Sequence, residues 1–369
     1  MACYPTPDVD AIRIDVSSER GSYPVLVGAK TIIRLGDLLT ARGLDGSLVI
    51  VSAPPVWRLL APLLSRLPAS KSPILIPDGE RAKTLATVGR IYDALVKRRL
   101  DRAAVVIAVG GGVVGDIAGF AAATFLRGLR IVHVPTTLLA QVDSAIGGKV
   151  GVNLAAGKNL VGAFHPPAMV TCDPTVLGSL HRRDFRAGLY EVIKYGVIAS
   201  RPLFDRLSAS IGPLFDRDTR TLTSVVADCC RIKADVVGRD EREAGVRRTL
   251  NFGHTIGHAL EAVTEYRRFR HGEAVAYGML AAASLSAARD LLSREDETRL
   301  RDLIGHLGPL PPVGDLRIRE ALDAITLDKK VDKGRLNFVL AATIGDTRVV
   351  ADVSTRELTM AMRAIGMRR

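Results

Sequence analysis

The stretch NFGHTIGHAL, residues 251–260, places two histidines four residues apart, His254 and His258. Four residues is slightly more than one helical turn, so both rings project from the same face of a helix. Such a pair can hold a metal ion, or its members can have separate roles. Because no glutamate of an H-E-x-x-H pattern lies between them, the stretch alone leaves both interpretations open.

Two neighbouring segments add further groups that can bind a metal. In AGLYEVIKYGVI, residues 187–198, Glu191 and Lys194 are three apart among mostly apolar residues. This predicts a largely buried helix whose charges need partners. The segment RHGEAVAYGML adds His271. One glutamate with two histidines matches a metal site that keeps a position open for water or substrate.

Basic and amide side chains accompany these groups. Lys233, Arg247 and Asn251 precede the two histidines, and with Lys194 they would form an anion-binding surround. The combination of carboxylate, imidazole and ammonium groups is more specific than any of its parts, and it favours an enzyme that acts on a small anionic substrate.

A glycine cluster follows an apolar run in VIAVGGGVVGD, residues 106–116. Gly110, Gly112 and Gly115 fit the G-x-G-x-x-G pattern, in which the backbone approaches a pyrophosphate at a helix N-terminus. The acid expected about 20 residues later at a strand end is missing, since that region reads VPTT. The cluster is therefore either a tight structural turn or a dinucleotide site of non-standard form.

A second loop is predicted at residues 146–164, IGGKVGVNLAAGKNLVGAF. It places Lys149 and Lys158 beside Asn153 and Asn159 among five glycines. A loop with only a structural role seldom needs this combination, so we expect the segment to bind an anion.

The elements that must position these residues follow from hydrophobic patterning. Several β-branched runs in the first half are apolar throughout, as in a parallel sheet covered on both faces. Helical patterns alternate with them, which is typical of an α/β domain. The predicted strands are 11–16, 24–28, 47–52, 72–77, 103–110 and 129–135, and the predicted helices are 31–42, 55–66, 84–99 and 112–125.

Long helical segments replace this alternation beyond about residue 180. A chain of 369 residues also favours two domains. We therefore predict an α/β domain over 1–178 and a mainly α-helical domain over 179–369. A late β-hairpin is predicted at 335–354, with its turn at Gly345–Asp346.

The composition argues against several classes of protein. No apolar run reaches the ~20 residues of a membrane span, and no secretory signal is visible at the N-terminus. The four cysteines contain no C-x-x-C, which indicates neither a disulfide framework nor a thiolate zinc site. The net charge of +12 is scattered and aromatic residues are 5%, so nucleic-acid binding is not expected. We expect a cytoplasmic enzyme.

Taken together, these segments resemble the 3-dehydroquinate synthase family of sugar phosphate cyclases over nearly the whole chain. The stretches that carry the resemblance are PDGERAKTL (77–85), GGGVVGDIAGFAAATFLRG (110–128), VPTTLLAQVDSAIGGKVGVN (134–153), GKNLVGAFHPP (157–167), EVIKYGVI (191–198), LNFGHTIGHALEA (250–262) and HGEAVAYGM (271–279). The resemblance implies a Rossmann-like NAD-binding domain, a helical metal-binding domain, an active site in the cleft between them, and a homodimer.

The resemblance also implies roles for individual residues. Glu191, His254 and His271 would hold a divalent metal, normally zinc with cobalt as a second option, whereas His258 would contact the substrate. The other substrate contacts would be Lys149, Asn159, Lys194, Lys233, Arg247, Asn251 and, for the phosphate, Arg127. The cofactor contacts would be Glu80, Lys83, Gly111, Gly112, Asp116, Thr136, Thr137, Asp143, Lys149 and Lys158. A substrate-closing loop would lie at 327–336, with either Lys329 or Lys330 as its lysine.

One position departs from the family pattern. Where the family usually has an Asp or Asn that contacts the cofactor ribose, VSAPPVW places Ala53, followed by Pro54 and Pro55. We expect that contact to be lost, so that NAD affinity depends more on Glu80 and Lys83.

The implied reaction converts 3-deoxy-D-arabino-heptulosonate 7-phosphate to 3-dehydroquinate and phosphate in the shikimate pathway. NAD would be regenerated in each turnover, and the metal would act as a Lewis acid on substrate hydroxyls. The alternatives are a valiolone-type cyclase and a metal-dependent NAD polyol dehydrogenase. Lys233 and Arg247 favour a substrate that bears a carboxylate, and hence the heptulosonate.

Overall fold

The computed structural model describes residues 11–19, 21–209, 211–329 and 336–368. The strands lie at β1 Ile12–Ser18, β2 Gly21–Val27, β3 Leu48–Ser52, β4 Ile74–Leu75, β5 Val105–Gly110, β6 Arg130–Pro135, β7 Lys149–Leu154, β8 Gly157–Phe164, β9 Met169–Cys172, β10 Phe338–Thr343 and β11 Asp346–Val350. All six strands predicted in the first half are confirmed. The late hairpin is confirmed too, with its turn one residue earlier, at Ile344–Gly345.

The helices alternate with strands in the first half and dominate the second. They lie at α1 Leu35–Thr40, α2 Pro54–Leu60, α3 Leu85–Lys97, α4 Gly112–Thr124, α5 Arg182–Ala199, α6 Arg201–Ala209, α7 Gly212–Phe215, α8 Thr219–Arg239, α9 His254–Val263, α10 His271–Ala288, α11 Arg294–His306, α12 Ile318–Lys329 and α13 Thr355–Ala364. Within the part of the chain that the structure describes, no helix is both long and apolar enough to cross a membrane.

The chain divides into two compact units. The first consists of 1–181 and 217–241, and the second of 182–216 and 242–369. The first unit therefore includes α8, a segment that the sequence analysis assigned to the helical domain. The reason is tertiary, since α8 packs against β1 and against the π-helical turn Ala140–Ser144.

In the part of the chain that the structure describes, a seven-stranded sheet organises the first unit. Among the described residues, its strands follow the order β1-β2-β9-β6-β5-β3-β4, and every neighbouring pair is parallel except β1 with β2. Successive residues of β5 belong to different apolar clusters. Val106 packs with α3 and α4, whereas Val105 and Ile107 pack with α1. The sheet is therefore covered on both faces, as the apolar runs predicted.

Residues 149–164 form a β-hairpin, whereas the glycines of this segment indicate an irregular loop in the sequence. β7 and β8 pair antiparallel, with Gly151 opposite Gly162. A Cβ on Gly151 would lie 2.6 Å from the carbonyl oxygen of Val161, and one on Gly162 would lie 2.4 Å from that of Val150. These glycines allow the two backbones to approach closely. In a sequence, glycines with this role cannot be distinguished from the glycines of a loop.

Candidate metal centre and nucleotide-binding residues

Glycines bring three helices of the second unit into close contact. A Cβ on Gly278 of α10 would lie 1.7 Å from the carbonyl oxygen of Gly253, which precedes α9 with φ of 80°. A Cβ on Gly272 would lie 1.9 Å from the carbonyl oxygen of Ala187 on α5. Side chains at these positions would separate the helices, so their absence sets the distances between residues on α5, α9 and α10.

Glu191 of α5, His254 of α9 and His271 of α10 converge as a result. One ligand atom from each lies within 4.8 Å of the others. Glu191 Oε1 is 3.5 Å from His271 Nε2 and 3.9 Å from His254 Nε2, and the Glu191 side chain is fully buried. A carboxylate with two imidazole nitrogens is a ligand set that zinc and other divalent transition metals prefer. The donor set therefore fits a metal ion.

Lys194 contributes a buried cation beside this group. Its ammonium forms an ion pair with Glu191 Oε2, and its side chain is 1% exposed. Both members of this i,i+3 pair are buried, as the apolar pattern of the helix predicted.

His258 joins a second group on the same helix face. His258, Glu261 and His271 also bring one ligand atom each within 4.8 Å. The ring centroids of His254 and His258 are 5.3 Å apart, and those of His258 and His271 are 5.9 Å apart. The two histidines of the NFGHTIGHAL stretch thus share a face but belong to different groups, with His271 common to both.

The hydrogen bonds of His254 and His271 determine which ring nitrogen of each can bind a metal. His254 Nδ1 lies 3.2 Å from the carbonyl oxygen of Phe252, and His271 Nδ1 lies 3.3 Å from Glu261 Oε2. A carbonyl or an ionised carboxylate can only accept, so each Nδ1 carries the hydrogen and donates it. When it is neutral, each ring therefore has its lone pair on Nε2, the nitrogen that lies near Glu191.

The two rings differ in their affinity for a proton. Burial, reinforced by the charge of Lys194, lowers the pKa of His254 to about 3. Burial also opposes the charge on His271, but its hydrogen bonds to Glu191 and Glu261 outweigh that effect and raise its pKa to about 10. A ligand ring must be neutral, so His254 is ready to bind a metal, whereas His271 must release a proton to do so.

A buried carboxylate also fixes the start of α10. Glu273 is fully buried and accepts two hydrogen bonds from Arg183, at 2.8 and 2.7 Å, with Arg186 at 3.4 Å. It also accepts a hydrogen bond from the backbone N–H of Arg270 at 2.8 Å. The first residue of α10 is His271, so this network fixes the backbone that carries a candidate metal ligand.

The glycine cluster of the first unit lies where strand β5 meets helix α4. β5 ends at Gly110 and α4 begins at Gly112, which confirms the predicted strand–turn–helix arrangement. A Cβ on Gly111 would lie 3.0 Å from Thr137 Cγ2, and one on Gly112 would lie 2.9 Å from Ser144 Oγ. The glycines thus let the side chains of Thr137 and Ser144 pack against the start of α4. A glycine turn at a helix N-terminus is an arrangement that can hold a pyrophosphate.

Several predicted cofactor contacts form one polar cluster in the same unit. Lys83, 4% exposed, donates to Asp116 Oδ2 at 2.6 Å and to Asn159 Oδ1 at 2.5 Å, and lies 3.9 Å from Glu80. Asn153 donates to Glu80 at 2.8 Å. Burial raises the pKa of Asp116 to about 6, against the opposing charge of Lys83. The cluster mixes predicted cofactor and substrate residues.

A second buried lysine of this unit is also paired. Lys233 of α8 donates to the backbone oxygen of Asp143 at 2.5 Å and to its carboxylate. Asp143 lies in the π-helical turn Ala140–Ser144, a local irregularity that is frequent at functional sites. One predicted substrate contact and one predicted cofactor contact are therefore partners of each other.

The remaining predicted residues are distributed over both units. Thr136 donates its backbone N–H to Gly110 at 3.0 Å, and Thr137 accepts from the N–H of Ala140 at 3.2 Å. In the second unit, Arg247 is 2% exposed and Asn251 donates to Glu243 at 2.5 Å. Lys149 and Lys158 lie on β7 and β8.

Arg127 occupies an unusual backbone conformation. Its φ is 66° and that of Leu126 is 50°, so two successive non-glycine residues are left-handed. Each costs roughly 1–2 kcal/mol, and strain of this kind concentrates at ligand-binding sites. The side chain of Arg127 is exposed to solvent.

Two residues that contact the predicted site residues have no role predicted from the sequence, namely Glu243 and Glu261. Asn153, expected only as part of an anion-binding segment, donates a hydrogen bond to Glu80. Glu261 could have been found, because it lies seven residues after His254 and three after His258, on the same helix face. Lys330 lies outside the described residues, and so does most of the predicted closing loop; of Lys329 the structure describes the backbone alone.

Ala53 is fully buried and occupies the N-cap position of α2. Pro54 and Pro55 follow at the first two helical positions and carry no N–H. An acceptor at position 53 would therefore find its nearest helical donor at Val56.

The fold and these groups define a two-unit α/β and helical protein with a His₂Glu candidate metal site. Models for the N-terminal and C-terminal domains of 3-dehydroquinate synthase match residues 73–187 and 188–331. The chain belongs to the 3-dehydroquinate synthase family. The 3-dehydroquinate synthase of Gloeobacter violaceus is 46% identical over 94% of this chain and 97% of its own.

Two solved structures extend the comparison. A 2-epi-5-epi-valiolone synthase from Streptomyces hygroscopicus subsp. jinggangensis with NAD⁺ and Zn²⁺ bound has a TM-score of 0.84 and 29% identity, covering 96% of this chain and 99% of that one. A 2-deoxy-scyllo-inosose synthase complexed with carbaglucose-6-phosphate, NAD⁺ and Co²⁺ also has a TM-score of 0.84, with 25% identity, covering 95% and 99%. These sugar phosphate cyclases confirm the predicted fold class.

Proposed function

We propose that this chain converts 3-deoxy-D-arabino-heptulosonate 7-phosphate to 3-dehydroquinate and phosphate, with NAD and one divalent metal ion. The convergence of Glu191, His254 and His271 beside buried Lys194 carries the proposal, because it supplies a metal site and an ammonium group together. The 46% identity to a 3-dehydroquinate synthase, against 29% to a valiolone synthase, favours this substrate over that of the other cyclases.

The proposed metal ligands are Glu191, His254 and His271, with Zn²⁺ as the preferred ion and Co²⁺ as an alternative. A divalent ion held there supplies Lewis-acid polarisation of substrate hydroxyls. Lys194 balances the charge of Glu191 and can hold or release a proton at a neighbouring hydroxyl. His258 is proposed as a substrate contact, since it belongs to the other side-chain group.

The first unit is proposed to bind the cofactor. NAD supplies a hydride acceptor that is restored within one turnover. The glycine turn at Gly111 and Gly112 offers backbone N–H groups to its pyrophosphate. The other proposed contacts are Glu80, Lys83, Asp116, Thr136, Thr137, Asp143, Lys149 and Lys158.

The proposed substrate residues are mainly cationic, which suits a molecule with a carboxylate and a phosphate. They are Arg127, Lys149, Asn159, Lys194, Lys233, Arg247, Asn251 and His258. Because Lys233 and Arg247 are almost fully buried, they would stabilise a desolvated carboxylate strongly and reject an analogue that lacks one. We further propose that the protein acts in the cytoplasm as a homodimer, as its family resemblance implies.

Phosphate release from the heptulosonate 7-phosphate tests this function. We expect release that depends on NAD⁺ and stops with a chelator, and no comparable cyclisation of sedoheptulose 7-phosphate, which lacks the carboxylate. Equal turnover of the two substrates would assign the chain to the valiolone-type cyclases instead. Release that persists without bound NAD and metal would refute the cofactor assignment.

A further inference from the structure

Glu261 is a buried carboxylate for which the proposed reaction has no role. Its residue is 4% exposed, and it lies near the C-terminal end of α9. Its carboxylate Oε2 is 3.3 Å from His271 Nδ1, whereas His271 Nε2 faces Glu191 Oε1 at 3.5 Å. The ring of His271 therefore lies between two carboxylates, with one nitrogen directed at each.

We infer that Glu261 is a positioning residue, which holds the His271 ring so that Nε2 points into the metal group. A histidine can rotate about its side-chain bonds and can carry its proton on either nitrogen. An ionised carboxylate at Nδ1 accepts the hydrogen there, which selects the tautomer with a lone pair on Nε2. The inference rests on the proposed metal site and adds a partner outside its ligands.

The backbone around Glu261 makes its carboxylate a fixed reference point. Its carbonyl oxygen accepts the N–H of Tyr266 at 2.7 Å and the hydroxyl of Thr264 at 3.3 Å. The turn that follows contains left-handed Glu265 and Tyr266, with φ of 51° and 56°. The end of α9 is thus closed by several hydrogen bonds, and from it the Glu261 side chain reaches His271 at the start of α10.

The two candidate ligands are oriented by different means. His254 donates to the carbonyl of Phe252 just before its own helix, an acceptor that no side-chain substitution removes. His271 depends on a side chain of another helix. Substitution of Glu261 can therefore measure how much the orientation of His271 contributes to metal affinity, without altering the orientation of His254.

The experiment measures the Zn²⁺ dissociation constant by competition with a chromophoric chelator. We expect Glu261→Ala to weaken Zn²⁺ binding about 10–100-fold, as is typical when the carboxylate partner of a metal-bound histidine is removed. Glu261→Gln keeps an acceptor oxygen and should recover part of that loss. The control is Glu265→Gln, whose side chain is 72% exposed and pairs with Arg267; it should retain wild-type affinity.

NMR of the zinc form with ¹⁵N-labelled histidine provides a second readout. We expect a slowly exchanging Nδ1–H signal from His271 in the wild type that is lost in Glu261→Ala. Wild-type affinity and a retained signal in Glu261→Ala would overturn the inference. So would complete metal loss equal to that of Glu191→Gln, because Glu261 would then be a ligand. A wild-type protein that binds no divalent metal would instead refute the proposed function itself.

Discussion

The two units differ in which member of their ion pairs is the more deeply buried. In the first, the buried groups are the ammonium ions of Lys83 and Lys233, whose carboxylate partners Asp116 and Asp143 are 22% and 20% exposed. In the second, the carboxylate of Glu273 is fully buried while its partners Arg183 and Arg186 are 39% and 18% exposed, and Glu191 is buried together with its partner Lys194.

This difference matches the ligands proposed for each unit. A buried ammonium ion with a partly exposed carboxylate suits a nucleotide, whose phosphates need cations and whose hydroxyls need acceptors. A buried carboxylate among imidazoles suits a divalent cation. In both units the uncompensated burial of one charge would be costly, so each charge has a partner before any ligand binds.

The largest expected effect is a loss of stability at Glu273, the fully buried carboxylate of the second unit that is not a proposed metal ligand. Glu273→Gln leaves Arg183 and Arg186 facing a neutral group, and breaking a buried ion pair costs about 3–5 kcal/mol. Urea unfolding of the metal-free protein measures it. The matched control is Glu320→Gln, whose pair with Arg317 is exposed and worth about 0–1 kcal/mol. Equal losses in the two variants would contradict the comparison.

A smaller effect on stability is expected when the pH is lowered, at the buried His133 of the first unit. His133 lies near His165, and burial lowers its pKa to about 4, with the charge of His165 as a lesser cause. The unfolded chain, with an ordinary value of 6.5, binds this proton first as the pH falls. Stability from His133 is therefore present above pH 6.5 and is lost between pH 6.5 and 4, by about 3 kcal/mol.

The pH dependence of unfolding tests this expectation. His133→Asn should flatten the loss of stability across the acidic range, whatever its effect at neutral pH. His306→Asn, at an exposed position on α11, should leave the slope unchanged. If His133→Asn leaves the slope of stability against pH unaltered, the folded protein accommodates the charged His133 ring without a carboxylate partner, unlike Lys83 and Lys233.

The smallest effect is a change in NAD⁺ affinity, expected when a carboxylate is added to the first unit. Ala53→Asp would restore an acceptor for the cofactor ribose, and we expect NAD⁺ to bind roughly threefold to tenfold more tightly. The gain is limited because position 53 is fully buried and the N–H of Val56 competes as a helix-capping donor. Calorimetric titration of NAD⁺ measures it. Unchanged or weaker binding would show that an acid at position 53 does not reach the ribose.

Much of the fold could be predicted from local sequence. The apolar runs at β3 and β5 became strands because strands buried on both faces have a simple composition. Residues 146–164 were misassigned because glycines that allow β7 and β8 to approach resemble the glycines of a loop. The association of α8 with the first unit could not be predicted, because a helical period identifies the buried face but not its partner.

The candidate site shows the same limit. Glu191 and Lys194 share a turn of helix, so their pairing was visible from spacing. Lys83 and Asp116 are 33 residues apart, and their contact depends on how α4 packs beside the turn after β4. The link between Glu261 and His271 depends on glycines such as Gly278, whose importance appears only when helices α9 and α10 are seen together.

Metal analysis of purified variants tests the central claim most directly, namely that the two histidines of one helix turn have separate roles. His254→Ala and His271→Ala should lose the metal and all activity. His258→Ala should retain one metal ion per chain while catalysis falls. Loss of the metal in His258→Ala together with its retention in His271→Ala would contradict the account, and would place the ion outside the group formed with Glu191.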